Sequence, residues 1–422
     1  MRIASNISAN VRAVMRLLIA DKLHPRAVEE LRALPLDVVY EPELTKETLE
    51  TKLQNVGILV VRSTEVTGNA INAARQLNLI VRAGTETSTI DVKAASGRGI
   101  YVANCPGKNA SAISELVFGL LLSIDRRIPD AVASLRAGRW ERAEYSKAEG
   151  ILGKTIGIAG VGAIGREVAL RAKALGLHPI GWSRNLSPAR AADLGIGHAA
   201  SLDELASKSD VLTLHVSLTD RTRAIVGRRT FELLPKRAIF INCARPELVD
   251  YEAMRDAVVQ RGLRVGVDVI PNEPRGKKEI ATDLFSLTTP SESGGFLYGT
   301  PHIAASTDQA QLAIATETVR VIRSFLLEGT VPNVVNVTNV STARFQMVIR
   351  MLDKVGTLAN VLGVIKRHGI NVEEVANTVF DGGSASCAKL RIMSRPTDAC
   401  LHEIRAFEEV LHVDIVTLPN LA

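Results

Sequence analysis

Residues Gly153 to Asn185 read GKTIGIAGVGAIGREVALRAKALGLHPIGWSRN. The run opens with a short β-rich apolar segment around Ile156 and Ile158, and reaches Gly160-Val161-Gly162-Ala163-Ile164-Gly165. It continues with helical periodicity and closes on a second apolar segment, His178 to Trp182. That is a βαβ unit with a glycine-rich first turn. Gly160 permits the tight turn, Gly162 lets the backbone approach a pyrophosphate, and Gly165 allows the helix to pack closely on the strand. The first amides of the helix, at Ala163 and Ile164, then point at the phosphates. A G-x-G-x-x-G run alone is weak evidence, but strand, turn, helix and second strand together read as a dinucleotide site.

Where such a unit commonly ends in an acidic residue for the ribose 2′-hydroxyl, this chain has Trp182-Ser183-Arg184-Asn185. Without that carboxylate nothing repels a 2′-phosphate. Arg184 either binds one or stands in solvent, so the chemistry permits NADP as well as NAD as the cofactor.

Working outward, 422 residues are enough for two or three domains, and 46% hydrophobic with 23% charged residues suits a globular protein. The net charge of +6 is spread along the chain. It suits a small anionic substrate and argues against a nucleic-acid partner, since no basic run with interleaved aromatics occurs. Cys105, Cys243, Cys387 and Cys400 have no metal-ligand spacing and are too few for a disulfide framework, so no metal and a reduced, cytoplasmic compartment are expected. No apolar run approaches the roughly 18 residues of a membrane span. Met1 to Arg12 reads as an N-terminal extension.

From Met15, β-rich runs at Leu17–Ala20, Val38–Tyr40, Gly57–Val61, Leu79–Val81 and Tyr101–Ala103 alternate with helical segments, which predicts a parallel α/β domain before the dinucleotide unit. Further strands are expected at Val211–Val216, Ala238–Asn242 and Leu263–Val269, followed by a long helix over Thr307–Leu327 and a linker at Gly329–Asn333. Beyond it come a strand at Arg344–Met351, a helix at Gly356–His368, a hairpin of Asn371–Phe380 and Ala385–Met393, a helix at Thr397–Glu409 and a strand at Val413–Leu418. That order, βαββαβ, is ferredoxin-like. The fold class is therefore α/β: two Rossmann-like or flavodoxin-like doubly wound parallel sheets plus a small C-terminal module.

Several stretches taken together resemble the D-isomer-specific 2-hydroxyacid dehydrogenases, most closely those acting on D-3-phosphoglycerate. They are Val61-Arg62-Ser63, Asp91 to Ala95, Asn104 to Asn109, the glycine motif, Leu214-His215-Val216, Asn242-Cys243-Ala244-Arg245, Asp268 to Pro274 and Pro301-His302-Ile303. The resemblance implies a discontinuous substrate domain (15–118 and 302–333) around an NAD-binding domain (119–301), with an ACT-like module at 344–422 and a homodimer or homotetramer. It implies that Arg245, Glu273 and His302 are catalytic. His302 would take the hydroxyl proton, Glu273 would orient its imidazole and favour the charged form, and Arg245 would offer a fork to the substrate. It places Arg62, Ser63, Thr85, Glu86 and Asn109 at the substrate, and His215, Cys243, Ala244 and Asp268 at the cofactor, Asp268 on the nicotinamide side. The implied reaction is oxidation of D-3-phosphoglycerate to 3-phosphooxypyruvate, the first step of serine biosynthesis. The alternatives are an NADP-using reductase of hydroxypyruvate or glyoxylate, or a weakened dinucleotide-binding regulatory protein.

Three positions depart from the family's glycine. Ala304 is mild. Pro246 acts on the backbone of Arg245 and threatens to displace it. Glu86 brings a carboxylate into the loop that receives the substrate's carboxylate, and it points either inward, as a like charge, or to solvent. In the C-terminal module Gly356 and Asn371 match a ligand-binding ACT domain. Met351, Asp353 and Val355 stand where a serine-binding version has histidine, asparagine and proline, which speaks against serine inhibition, so plain pairing of modules is at least as well supported as ligand binding.

Overall fold

A computed structural model describes residues 14–274, 283–338 and 341–419; the expected N-terminal extension, Met1 to Arg12, lies outside them. The chain forms two compact units, one ending at Asn336 and the other beginning at Val337. Among the described residues no helix is long and apolar enough to cross a membrane.

The first unit holds two parallel sheets. Strands β1 (Met15–Ile19), β2 (Leu36–Tyr40), β3 (Ile58–Val61), β4 (Leu79–Arg82) and β5 (Tyr101–Ala103) pair in the order β2-β1-β3-β4-β5. The second sheet consists of β6 (Thr155–Ala159), β7 (His178–Trp182), β8 (Gly197–His198), β9 (Val211–Leu214), β10 (Ile239–Asn242), β11 (Arg264–Val267) and β12 (Phe296–Gly299). Its order is β12-β11-β10-β9-β6-β7-β8. Both are doubly wound, as the alternating pattern predicts, and strands such as β3, β9 and β10 are buried along their whole length because helices cover both faces. In each sheet the chain reverses direction beside the first strand, which opens a crevice at the carboxyl ends of the strands.

Two helices tie the sheets together. Ala110–Arg126 runs unbroken through the position expected as a domain limit, and buries Ile113, Val117, Leu121 and Ile124 against Ile156, Ile158 and Ile241 of the seven-stranded sheet. Asp308–Glu328 starts on Thr307, whose hydroxyl accepts from Ala310 N at 3.2 Å, and buries Ile314, Val319 and Ile322 against Leu17, Val60 and Leu79 of the five-stranded sheet.

The stretch Gly329 to Asn333 is not a free linker. Gly329 ends the helix at φ +67°, and the chain then docks on the edge of β5. Asn333 Nδ2 donates to Asn104 O at 3.2 Å, Val335 N to Val102 O at 2.8 Å, and Val102 N to Asn336 Oδ1 at 2.8 Å. The open backbone groups of an edge strand capture the chain, a requirement that local composition does not reveal.

The second unit is the expected βαββαβ module: β13 (Phe345–Leu352), a helix Thr357–Arg367, β14 (Val372–Val379), β15 (Ala385–Ile392), a helix Asp398–Arg405 and β16 (Val410–Thr417). Its antiparallel sheet has the order β14-β15-β13-β16. The last helix stops at Arg405 rather than Glu409, and β16 begins at Val410 rather than Val413. Residues 406–409 form a turn, and Val410 pairs with Met351 across a register shift in β13, so the strand starts earlier than its alternating pattern shows.

Candidate active site

The carboxyl ends of both sheets face one cleft with a cavity of about 520 Å³. Each contributing loop follows a buried strand, so rigid β-structure sets the position of every side chain at its tip.

From the five-stranded sheet, β3 delivers Arg62 and Ser63 to the cleft. Their backbone amides are already taken: Arg62 N, Ser63 N and Thr64 N donate to Asp21 Oδ2 at 2.6, 3.1 and 3.0 Å. Only the side chains remain for a ligand. Strand β4 delivers Arg82, Gly84, Thr85 and Glu86, and Asn109 stands behind them with its Oδ1 accepting from Thr85 Oγ1 at 3.1 Å.

From the seven-stranded sheet, β9 is followed by His215, β10 by Cys243, Ala244 and Arg245, and β11 by Asp268, all lining the cleft. His215 is half-buried with its Nδ1 shielded from water, and this desolvation pushes its imidazole down to about 3 and keeps it neutral. Its Nε2 lies 2.9 Å from Thr213 Oγ1, while Nδ1 has no partner in the protein. Burial, followed by the charge of Asp268, pushes the Cys243 thiol above its usual range, so it is a neutral packing group. The Asp268 side chain, 1% exposed, does not present a free carboxylate to a nicotinamide. Its oxygens accept from Thr300 Oγ1 at 2.6 Å and from the amides of Ile303 and Ala304 at 2.8 Å each. Asp268 therefore holds the turn that carries His302, which sits at φ +54°, a backbone region rarely used by side-chain-bearing residues.

His302 Nδ1 lies 2.7 Å from Glu273 Oε2, and Glu273 Oε1 accepts from Ile270 N at 3.3 Å. A carboxylate only accepts, so the ring proton sits on Nδ1 and Nε2 is left as the acceptor. With the imidazole about half exposed, it can exchange a proton with a bound molecule. Glu273 does not line the cavity; it stands behind His302.

Pro246 does not turn Arg245 away. Arg245 is extended (φ −141°, ψ 142°), as the residue before a proline must be, and Pro246 opens a short 3₁₀ turn to Leu248. Asn242 Nδ2 pins the Arg245 carbonyl at 3.0 Å, and the guanidinium still enters the cleft. Glu86 takes the inward of the two expected positions and lines the cleft, but there it meets a partner. It forms an ion pair with Arg245 Nη2, while Arg245 Nη1 donates to Ala244 O at 2.7 Å.

The glycine turn fits a dinucleotide. Gly160 has φ +100°, and a Cβ there would lie 2.5 Å from the His215 backbone; a Cβ on Gly165 would lie 2.1 Å from Gly160 O. Above Gly162 a Cβ would meet nothing, so that face of the turn is open for close approach. Ile164 lines the cleft, whereas Gly160, Gly162, Ala163 and Gly165 form the turn beside it. Ala159 pairs with Trp182 across β6 and β7, which brings Ser183 and the exposed Arg184 to the same edge as the turn.

Arg82 is the residue missed by sequence reasoning. Its guanidinium folds over Gly84, where a Cβ would lie 1.4 Å from Nη1, and its buried Nε has no partner. Burial pushes its pKa down, the charge of Glu86 opposes that, and Arg245 and Arg62 add to it. Its position at the end of β4, parallel to Arg62 at the end of β3, was the available signal.

Residues 118–304 match the family described as D-isomer specific 2-hydroxyacid dehydrogenase, NAD binding domain. Together with the relatives below, this shows that the chain belongs to the D-isomer-specific 2-hydroxyacid dehydrogenase family. It is 37% identical over 329 residues to the D-3-phosphoglycerate dehydrogenase of Methanocaldococcus jannaschii, covering 78% of this chain and 60% of that relative's length. It is 35% identical over 384 residues to the D-3-phosphoglycerate dehydrogenase of Pongo abelii, covering 89% of this chain and 68% of that one. Among solved structures, an NADPH-dependent glyoxylate/hydroxypyruvate reductase from Sinorhizobium meliloti, in complex with NADP and malonate, matches with a TM-score of 0.65 at 25% identity, over 76% of this chain and 96% of the other.

Proposed function

We propose that this cleft oxidises the C2 hydroxyl of a D-2-hydroxy acid carrying a second anionic group, D-3-phosphoglycerate, to the 2-oxo acid, and that this supplies serine biosynthesis. The observation that carries the reading is His302, backed by Glu273, lining one cavity with Arg245, Arg62 and Arg82. His302 Nε2 takes the hydroxyl proton, Glu273 holds the ring and balances the imidazolium, and the arginines bind the anionic ends. A bound nicotinamide dinucleotide supplies the hydride acceptor. Gly160, Gly162 and Gly165 shape its cradle, Ala163 and Ile164 offer helix amides to its phosphates, and the unpartnered Nδ1 of His215 offers it a polar contact.

Residues 15–118 and 302–333 form the substrate domain in this reading and 119–301 the nucleotide domain, although the helix Ala110–Arg126 packs with the latter. The module from 344 onward is an ACT-like domain for pairing or ligand binding. The protein works as a cytoplasmic homodimer or homotetramer. A second reading, reduction of glyoxylate or hydroxypyruvate with NADPH, is favoured by Ser183 and Arg184 standing where an acidic residue would select NAD. Steady-state assays of the purified full chain with NAD(H) and NADP(H), against D-3-phosphoglycerate, hydroxypyruvate and glyoxylate, separate the two. Calorimetry of dinucleotide binding runs alongside. Binding without turnover of any of them would leave only a dinucleotide-binding regulatory role.

A further inference from the structure

We infer that Glu86 decides which end group the cleft accepts. It supplies, from within the chain, the carboxylate that a 2-hydroxy acid would otherwise present to Arg245, and it thereby fits the site to α-hydroxyketone phosphates, whose carbonyl end is uncharged. The inference rests on the dehydrogenase reading and names a further substrate class for the same site.

Both arms of the Arg245 fork are engaged, Nη1 by Ala244 O at 2.7 Å and Nη2 by Glu86. Two of its five N–H donors are thereby used, and its charge is already matched by a carboxylate before any substrate arrives. The loop that carries Glu86 is pinned on both sides: Asn104 Nδ2 donates to Thr85 O, and Val66 N donates to Thr89 O at 2.8 Å. Glu86 and Arg245 are 38% and 31% exposed, so their charges are only partly screened by water. A substrate carboxylate arriving at Arg245 meets a like charge beside it.

The remaining charges favour a different molecule. With Arg245 neutralised by Glu86, the cations lining the cleft without a paired carboxylate are Arg62 and Arg82. Two guanidiniums match one phosphate dianion. A phosphorylated 2-hydroxy acid brings a further negative charge, and brings it to the Glu86 side. An α-hydroxyketone phosphate brings only the dianion, and its hydroxymethyl group donates a hydrogen bond to the Glu86 carboxylate, which can only accept. Its reduction balances: a reduced nicotinamide dinucleotide gives a hydride to the carbonyl carbon, protonated His302 gives its Nε2 proton to the carbonyl oxygen, and a secondary alcohol and the oxidised dinucleotide result.

The test uses the full chain with NADH or NADPH, dihydroxyacetone phosphate and 3-phosphooxypyruvate as probes, and the variants Glu86→Gln and Glu86→Gly. Calorimetric dinucleotide affinity reports whether each variant keeps its nucleotide site. The expected result is that wild type reduces dihydroxyacetone phosphate, and that both variants shift the ratio of kcat/KM toward 3-phosphooxypyruvate by at least about tenfold with unchanged dinucleotide affinity. Turnover of 3-phosphooxypyruvate with a ratio insensitive to Glu86, or wild type inert toward dihydroxyacetone phosphate, overturns this inference and leaves the dehydrogenase reading standing. Dinucleotide binding with no turnover of either probe, in wild type and both variants, overturns the dehydrogenase reading and this inference with it.

Discussion

The glycine turn after β6 and the loop after β4 occupy equivalent places, each at the carboxyl end of a buried parallel strand, yet they are built on different principles. The turn is backbone. Gly160 and Gly165 leave no room for a Cβ, and the surface above Gly162 is bare. The loop is side chain. Arg82 folds over Gly84, and Glu86 reaches a guanidinium that belongs to the other sheet. At Gly160 and Gly165 a turn made from backbone sterics has no room for a side chain. A site made from paired charges is retuned by a single residue.

The largest effect that can break this contrast belongs to the group between the two ends. His302→Ala is expected to lower kcat by on the order of 10²–10⁴-fold with dinucleotide affinity nearly unchanged. Steady-state kinetics with calorimetry check both, and equal losses in the two would show that the ends are not separable.

Next, Gly165→Ala puts a Cβ 2.1 Å from Gly160 O. Overpacking of that kind costs roughly 1–3 kcal/mol. Thermal denaturation should show the loss, and dinucleotide affinity should fall by about tenfold or more. A variant with normal stability and binding would show that the turn is not sterically locked.

On the side-chain-built half, Glu317 is held by Arg320 at 2.6 Å, Asn333 at 2.6 Å and Lys108 at 3.3 Å. The hydrogen bond from Arg320 is the largest cause holding its carboxyl down at about 2, against an ordinary 4.5. A depressed carboxylate stabilises the fold fully above its unfolded pKa, and that contribution is lost as pH falls through the folded value. Glu317→Gln should therefore be less stable than wild type by about 2 kcal/mol at pH 7. Denaturant melts at several pH values should show the gap closing between pH 4.5 and 2; a gap independent of pH would mean that the charge network contributes nothing.

The smallest effect is expected at Arg184, which is exposed at the end of β7. Arg184→Ala should weaken NADP by about tenfold, one charge-assisted contact, and leave NAD unchanged. Equal losses for both cofactors would move Arg184 away from the 2′-phosphate and onto a part that the two share.

Much of this molecule was legible before any coordinates. The alternation of β-rich and helical segments announced both parallel sheets, and the glycine spacing marked the turn. The order of strands and helices after Arg344 described the small module, with error confined to where the helix after Thr397 gives way to β16. These features are local: periodicity, steric freedom and turn chemistry act within windows of about twenty residues. What only the tertiary structure decided involves partners far apart in the chain. Asp268 turned out to hold the segment that carries His302, 34 positions on by residue number. Asn333 and Asn336 fastened a supposed linker to β5. Glu86 met Arg245 across 159 positions. No window of sequence contains both members of such a pair. Whether a carboxylate repels a substrate, faces water or neutralises an arginine depends on which strand ends the fold brings to the same cleft.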